Sequence, residues 1–163
     1  MESALAGWSD FNVAVAGAGA ALAGLLIVAM SVNIVEILKT VTLPVRAGSS
    51  IGALVLGVAA SCLALIPGQP VWLLGVEVLA GAAVVWLIEV FAARAILREA
   101  GQRPAFQAVK ILAGSLPPAV FTVGAVLLVA GASDGYAWVA AGSVLSIISA
   151  VLFSWVALVE ILR

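Results

Sequence analysis

Four glutamates, Glu36, Glu77, Glu89 and Glu160, sit within or at the ends of long apolar runs in a chain that is otherwise poor in charge. An ionised carboxylate inside a bilayer is costly, so an acid placed there is a candidate for holding a proton or a cation. Glu77 follows Val71 by six residues, which at 1.5 Å per helical residue puts it about 9 Å inside an apolar segment. No Lys or Arg is available near it. It is therefore expected to be protonated, hydrogen-bonded to backbone or to Ser61, or open to a water-filled cleft. Glu36 and Glu160 each have a cation three residues on, Lys39 and Arg163, a spacing that supports a modest local ion pair. Glu89 has none at three or four residues, and with Asn33 it is expected to form a second polar cluster. Glu77 and Glu89 lie about 120° apart around a helix, so they do not line one stripe.

Other chemistry finds little to work with. The chain has no His and one Cys, Cys62, which removes the commonest metal ligand, the usual neutral-pH acid/base, disulfides and cysteine-rich metal sites. Neither GxSxG nor HExxH occurs, and Asp10 and Asp134 both fall outside the apolar runs. The expectation is a non-enzyme with no metal and no cofactor.

The elements that must position these acids follow from composition. Of 163 residues 65% are hydrophobic and 9% charged, with seven Lys/Arg against eight Asp/Glu, and mean hydropathy is +1.30. A soluble domain is about half apolar and a quarter charged, so this chain cannot cover a globular surface. A soluble enzyme, a nucleic-acid binder and a disordered tail are excluded on that ground. A crossing needs about 20 mostly apolar residues, and five segments qualify: 11–38, 47–66, 71–93, 109–131 and 136–162. The first is long for one crossing and is read as a single tilted helix. The breaks 43–46, 67–70 and 132–135 are rich in turn-forming residues. The fold class is therefore all-α, a single bundle of five transmembrane helices spanning residues 1–163.

With five crossings, all seven cations fall on one side: Lys39 and Arg46, then Arg94, Arg98, Arg103 and Lys110, then Arg163. The positive-inside rule then places the N-terminus outside and the C-terminus inside. Trp8, Trp72, Tyr136 and Trp138 would mark the outer rim, and Trp86, Phe91, Phe106, Phe153 and Trp155 the inner one. The start Met1-Glu2-Ser3-Ala4 has no basic stretch, so no cleavable signal peptide is expected.

Small residues recur at helical spacing. Gly17, Ala21, Gly24, Val28 and Ser31 form one stripe, and Gly142, Ser146, Ala150 and Ser154 another. Such faces allow close backbone approach, either within the bundle or between copies in a homo-oligomer. Pro117 and Pro118 lie inside the fourth span. Lacking N–H groups, they free the carbonyls of Ala113 and Gly114 and make a kink or gating hinge the expectation. The endings Glu36-Ile37-Leu38-Lys39, Ala95-Ile96-Leu97-Arg98 and Glu160-Ile161-Leu162-Arg163 are alike, which allows spans 2–3 and 4–5 to be copies of one hairpin.

The stretch 11–39, the loop Leu43-Pro44-Val45-Arg46-Ala47, the loop Leu65-Ile66-Pro67-Gly68-Gln69 and the ending 154–163 resemble a family of small five-span bacterial membrane proteins. Some of its members bear the label "modulator of FtsH protease". The resemblance implies a five-span bundle and carries over no activity and no functional residues. The expected role is a non-catalytic, oligomeric accessory or regulatory protein of the bacterial cytoplasmic membrane. Its expected partners are the lipid bilayer, further copies of itself or another membrane protein, and not nucleic acid. The alternative is an oligomeric channel or proton/cation transporter using Glu77, Glu89, Asn33 and Glu36.

Overall fold

A computed structural model describes residues 5–39, 42–98, 103–132 and 134–161, with side chains to Ala157. After a 3-10 turn at Ala6–Trp8 come six helices: α1 (Ser9–Val32), α2 (Ile34–Ile37), α3 (Thr42–Ala64), α4 (Val71–Arg98), α5 (Pro104–Val129) and α6 (Gly135–Ile161). All but α2 are long and apolar enough to cross a membrane, which makes this a multi-pass membrane protein. The shortest of the five has 23 residues, a length of roughly 34 Å against a hydrocarbon core of about 30 Å.

Helix boundaries differ from the sequence expectation where proline and charge were read as breaks. Leu43–Arg46 is helical, and Arg103 is extended with Pro104 opening α5. A proline in the first turn loses no intrahelical bond and presets φ for the helix. α4 continues through Arg94 to Arg98, because the backbone hydrogen bonds of a helix do not require apolar side chains. The first span is not one helix. Ala29 O accepts both the backbone N–H (3.3 Å) and the side-chain Nδ2 (2.9 Å) of Asn33, and α1 stops there. This back-bonding of a short polar side chain competes with the helical ladder, and α2 begins anew one residue later.

α3 packs against α1 on one side and α4 and α6 on the other, and α5 closes the bundle against α4 and α6. Its central place follows from its sequence. Gly48, Ser49, Ser50, Gly52, Ala53, Gly57, Ala60 and Ser61 make it the least apolar span, suited to protein neighbours rather than lipid. The cores are two. One, at the end holding Trp8 and Tyr136, joins Leu74, Val78, Phe121, Leu128 and Val139; the other joins Leu26, Ile37, Leu43, Leu54, Ala150 and Phe153. α3–α4 and α5–α6 turn at the first of these ends through Gly68 and Gly131, at φ +76° and +77°, a conformation that favours glycine. Every described cation lies toward the opposite end, hereafter the basic end.

The two small-residue stripes have opposite fates. Gly142 lies against the Phe121 ring, Ser146 bonds Gly142 O, and Ser146 and Ala150 are buried, so the α6 stripe packs inside the bundle. Gly17, Ala21 and Gly24 face outward, and a Cβ at Gly17 or Gly24 would meet nothing within 4 Å. α1 packs through Asn12, Val15, Gly19, Ala23 and Leu26 instead.

Candidate binding cavity

At the basic end, the start of α3, the last half of α4, the first half of α5 and the last half of α6 enclose a cavity of about 590 Å³. Its polar side chains come from all four helices: Arg46, Ser49 and Ser50 from α3, Glu89 from α4, Lys110 from α5 and Ser149 from α6. The remaining walls are apolar. Antiparallel packing produces this gathering, because it brings the beginnings of α3 and α5 beside the endings of α4 and α6.

Glu89 is the centre of the polar wall. It is 3% exposed and accepts a hydrogen bond from Ser49 Oγ. A Cβ at Gly114 would overlap its carboxylate, so the absence of a side chain on α5 makes room for the acid. Arg46, on the same cavity wall, places its guanidinium carbon 5.4 Å from the centroid of the Phe153 ring, a cation–π distance. A buried acid given a hydroxyl donor in this way is more tolerable than an isolated one.

The proline pair adds a second polar feature. α5 runs continuously through Pro117 and Pro118, both buried, and neither can donate to Ala113 or Gly114. The freed Ala113 carbonyl accepts a hydrogen bond from Ser149 Oγ of α6 at 3.2 Å. One turn beyond, Thr122 Oγ1 donates to Pro118 O at 2.7 Å and accepts from Trp86 Nε1 at 3.1 Å. Trp86 thus holds α4 to α5 rather than serving only as a rim residue.

The other sequence candidates lie elsewhere. Glu77 is half-buried and accepts a hydrogen bond from Gln69 Nε2 at 2.5 Å; its partner comes from the α3–α4 turn and is not Ser61. Glu36 pairs with Lys39 at 2.6 and 2.7 Å on an exposed surface, as its spacing implies. Asn33 bonds its own helix, so it does not join Glu89 in a polar cluster. The side chains of Glu160 and Arg163 lie outside the described residues.

Sequence reasoning missed the company Glu89 keeps. Arg46 and Lys110 were legible only as topology markers, and Ser49, Gly114 and Ser149 carried no local signal. It also missed Asn12, which is fully buried and accepts a hydrogen bond from Tyr136 Oη at 2.5 Å. A lone amide on the inward stripe of an apolar helix was the available clue. Trp8 stacks edge-on against Phe11 and Tyr136 around this pair. Among the described residues no three His, Cys, Asp or Glu side chains gather as metal ligands. Comparison with protein families, with curated proteins and with solved structures finds no match to this chain.

Proposed function

We propose that this is a non-catalytic, integral protein of the bacterial cytoplasmic membrane that works by binding, as an accessory or regulatory component, with the cavity at its basic end as the binding site. The observation that carries this reading is the convergence of Arg46, Ser49, Glu89, Lys110 and Ser149 on one largely apolar cavity. Large apolar pockets with a few converging polar groups are the usual form of small-molecule sites. By the positive-inside rule, the basic end and the C-terminus face the cytoplasm. Self-association draws support from the outward stripe of α1 alone, since the α6 stripe packs within the bundle.

Conduction of protons or cations has weaker support. Glu77 is engaged by Gln69 and Glu89 by Ser49, at separate sites on one helix. The test is to purify the protein in mild detergent and measure co-purifying small molecules by native mass spectrometry. Ile148→Trp, which fills the cavity mouth, should abolish a bound mass that Val28→Trp, on the outward face of α1, retains. Absence of any bound mass, together with a proton or cation flux in liposomes that Glu77→Gln or Glu89→Gln removes, would replace binding with conduction.

A further inference from the structure

We infer that the first half of α5, residues 104–116, is a flap that swings on Pro117 and Pro118 and so opens and closes the cavity between α5 and α6. The motion is a property of the fold; its use as the gate of a binding site rests on the reading above.

The flap is packed unlike its neighbours. No residue from 104 to 116 is buried, whereas the rest of α5 buries Pro117, Pro118, Phe121, Gly124, Ala125 and Leu128. Neither core draws a side chain from it. The other helices do bury side chains at the basic end: Leu43 and Ala47 on α3, Ala92 and Ile96 on α4, Ala150 and Phe153 on α6. Packing is a main attraction between helices in a bilayer, where lipid is as apolar as Leu. A segment with few buried apolar contacts therefore belongs to the low-stability part of a fold. Where such packing would be made, Phe106, Val109, Ala113 and Leu116 border the cavity instead.

The loosely packed half ends where the helix itself is weakest. Pro117 and Pro118 remove two consecutive rungs of the hydrogen-bond ladder, those of Ala113 and Gly114. A helix bends most readily at such a place. Just beyond it α5 is clamped to α6. A Cβ at Gly124 would come within 2.8 Å of Val139 N, one at Gly135 within 2.8 Å of Leu128 N, and Gly142 abuts Phe121. A fixed stem, two missing rungs and an unburied arm together make a hinge.

Polar contacts hold the arm closed. Gln107 Nε2 donates to Ile96 O of α4 at 3.1 Å, and Gly114 rests on the Glu89 carboxylate. Ser149 Oγ of α6 takes the Ala113 carbonyl, the one that Pro117 frees. The latch thus sits on the hinge, and closing restores a hydrogen bond that the proline had removed. Because α5 lies against α4 and α6 on the side away from α1, an outward swing lengthens its distance from α1 and widens the cavity mouth.

The test is double electron–electron resonance in nanodiscs, in a Cys62→Ser background because Cys62 is exposed. Spin labels at Leu112→Cys and Val28→Cys report the flap; labels at Val126→Cys and Val13→Cys report the stem, all four sites being exposed. The flap pair should give two distances and the stem pair one. Ser149→Ala should raise the population of the longer flap distance roughly threefold, the ratio carried by an average interhelical hydrogen bond in a membrane. Pro117→Ala with Pro118→Ala, which restores both N–H donors, should leave one flap distance. A single flap distance unmoved by Ser149→Ala would overturn the flap, and a bound mass in native spectra would then keep the binding reading. Two distances at the stem pair as well would overturn the hinge, since all of α5 would be moving. A flap that moves in protein carrying no bound mass would uphold the device and remove the binding reading.

Discussion

Ser149 on α6 donates its hydroxyl to the carbonyl of Ala113 on α5, at the position where Pro117 removes the usual intrahelical donor. The two helices are thus joined through a carbonyl that a proline leaves without its usual donor. Ser149→Ala should lower thermal stability by about 0.5–1.5 kcal/mol, the range for interhelical hydrogen bonds in membranes. Pro117→Ala restores an N–H for Ala113 O. In that background the cost of Ser149→Ala should fall toward zero. A double-mutant cycle of unfolding in detergent measures this, and additive effects would show that Ser149 does not compensate for the proline.

Gly114 and Glu89 form a similar dependency across α5 and α4. A methyl at position 114 would occupy the space of the carboxylate. Gly114→Ala should therefore reduce folded yield or thermal stability clearly, despite a helix-propensity gain of about 1 kcal/mol. Glu89→Ala made together with it should recover much of the loss, because the added methyl then has room. Recovery is read as midpoint temperature and monodispersity of the double variant against each single one.

The spans were legible because membrane insertion is written in local composition: runs of about 20 apolar residues, and cations gathered at alternate ends. Their boundaries were less so. Pro44 and Pro104 are as compatible with a helix's first turn as with a loop, and composition does not separate the two. The acid of interest was legible for the same local reason, since Glu89 interrupts an apolar run. Its partners were not. Ser49 is 40 positions away and Ser149 lies 36 from the carbonyl it satisfies, and no periodicity along one helix encodes which face meets which. Asn33 illustrates the converse: its polarity was visible, but its use in breaking α1 depended on a local bond that competes with the ladder.

A glycine on the outward stripe of α1 and one at the α5–α6 contact should respond differently to the same change. Gly24→Ala adds a methyl where nothing lies within 4 Å, so the fold of the single chain should be unchanged or gain up to about 1 kcal/mol from propensity. Gly124→Ala would place a methyl 2.8 Å from Val139 N and should cost stability by forcing α5 and α6 apart. Thermal unfolding of the two variants, side by side, checks this ordering.

The gathering of cations at one end yields a topology prediction independent of stability. A reporter active only in the periplasm, fused after Arg163, should be inactive, and the same reporter in the Pro67–Pro70 turn should be active. The reverse pattern would place the cavity on the outer side and would contradict the positive-inside assignment.

Tyr136 and Asn12 tie the first and last helices together at the far end from the cavity. Asn12 Oδ1 accepts the tyrosine hydroxyl, while its Nδ2 has no hydrogen-bond partner among the described residues, and the side chain is fully buried. Removing the hydroxyl leaves an amide satisfied at neither atom. Tyr136→Phe should therefore cost about 1–2 kcal/mol, more than the loss of an average bond, because a buried polar group without partners keeps its desolvation penalty. The same logic predicts the cure. Asn12→Leu alone leaves the Tyr136 hydroxyl unpaired and should also be harmful, but Asn12→Leu with Tyr136→Phe removes both polar groups and should approach or exceed wild-type stability. Unfolding midpoints of the two single variants and the double variant decide the matter. A double variant no more stable than the worse single one would mean that the pair positions α1 against α6 through its geometry, not merely through the balance of its polar atoms.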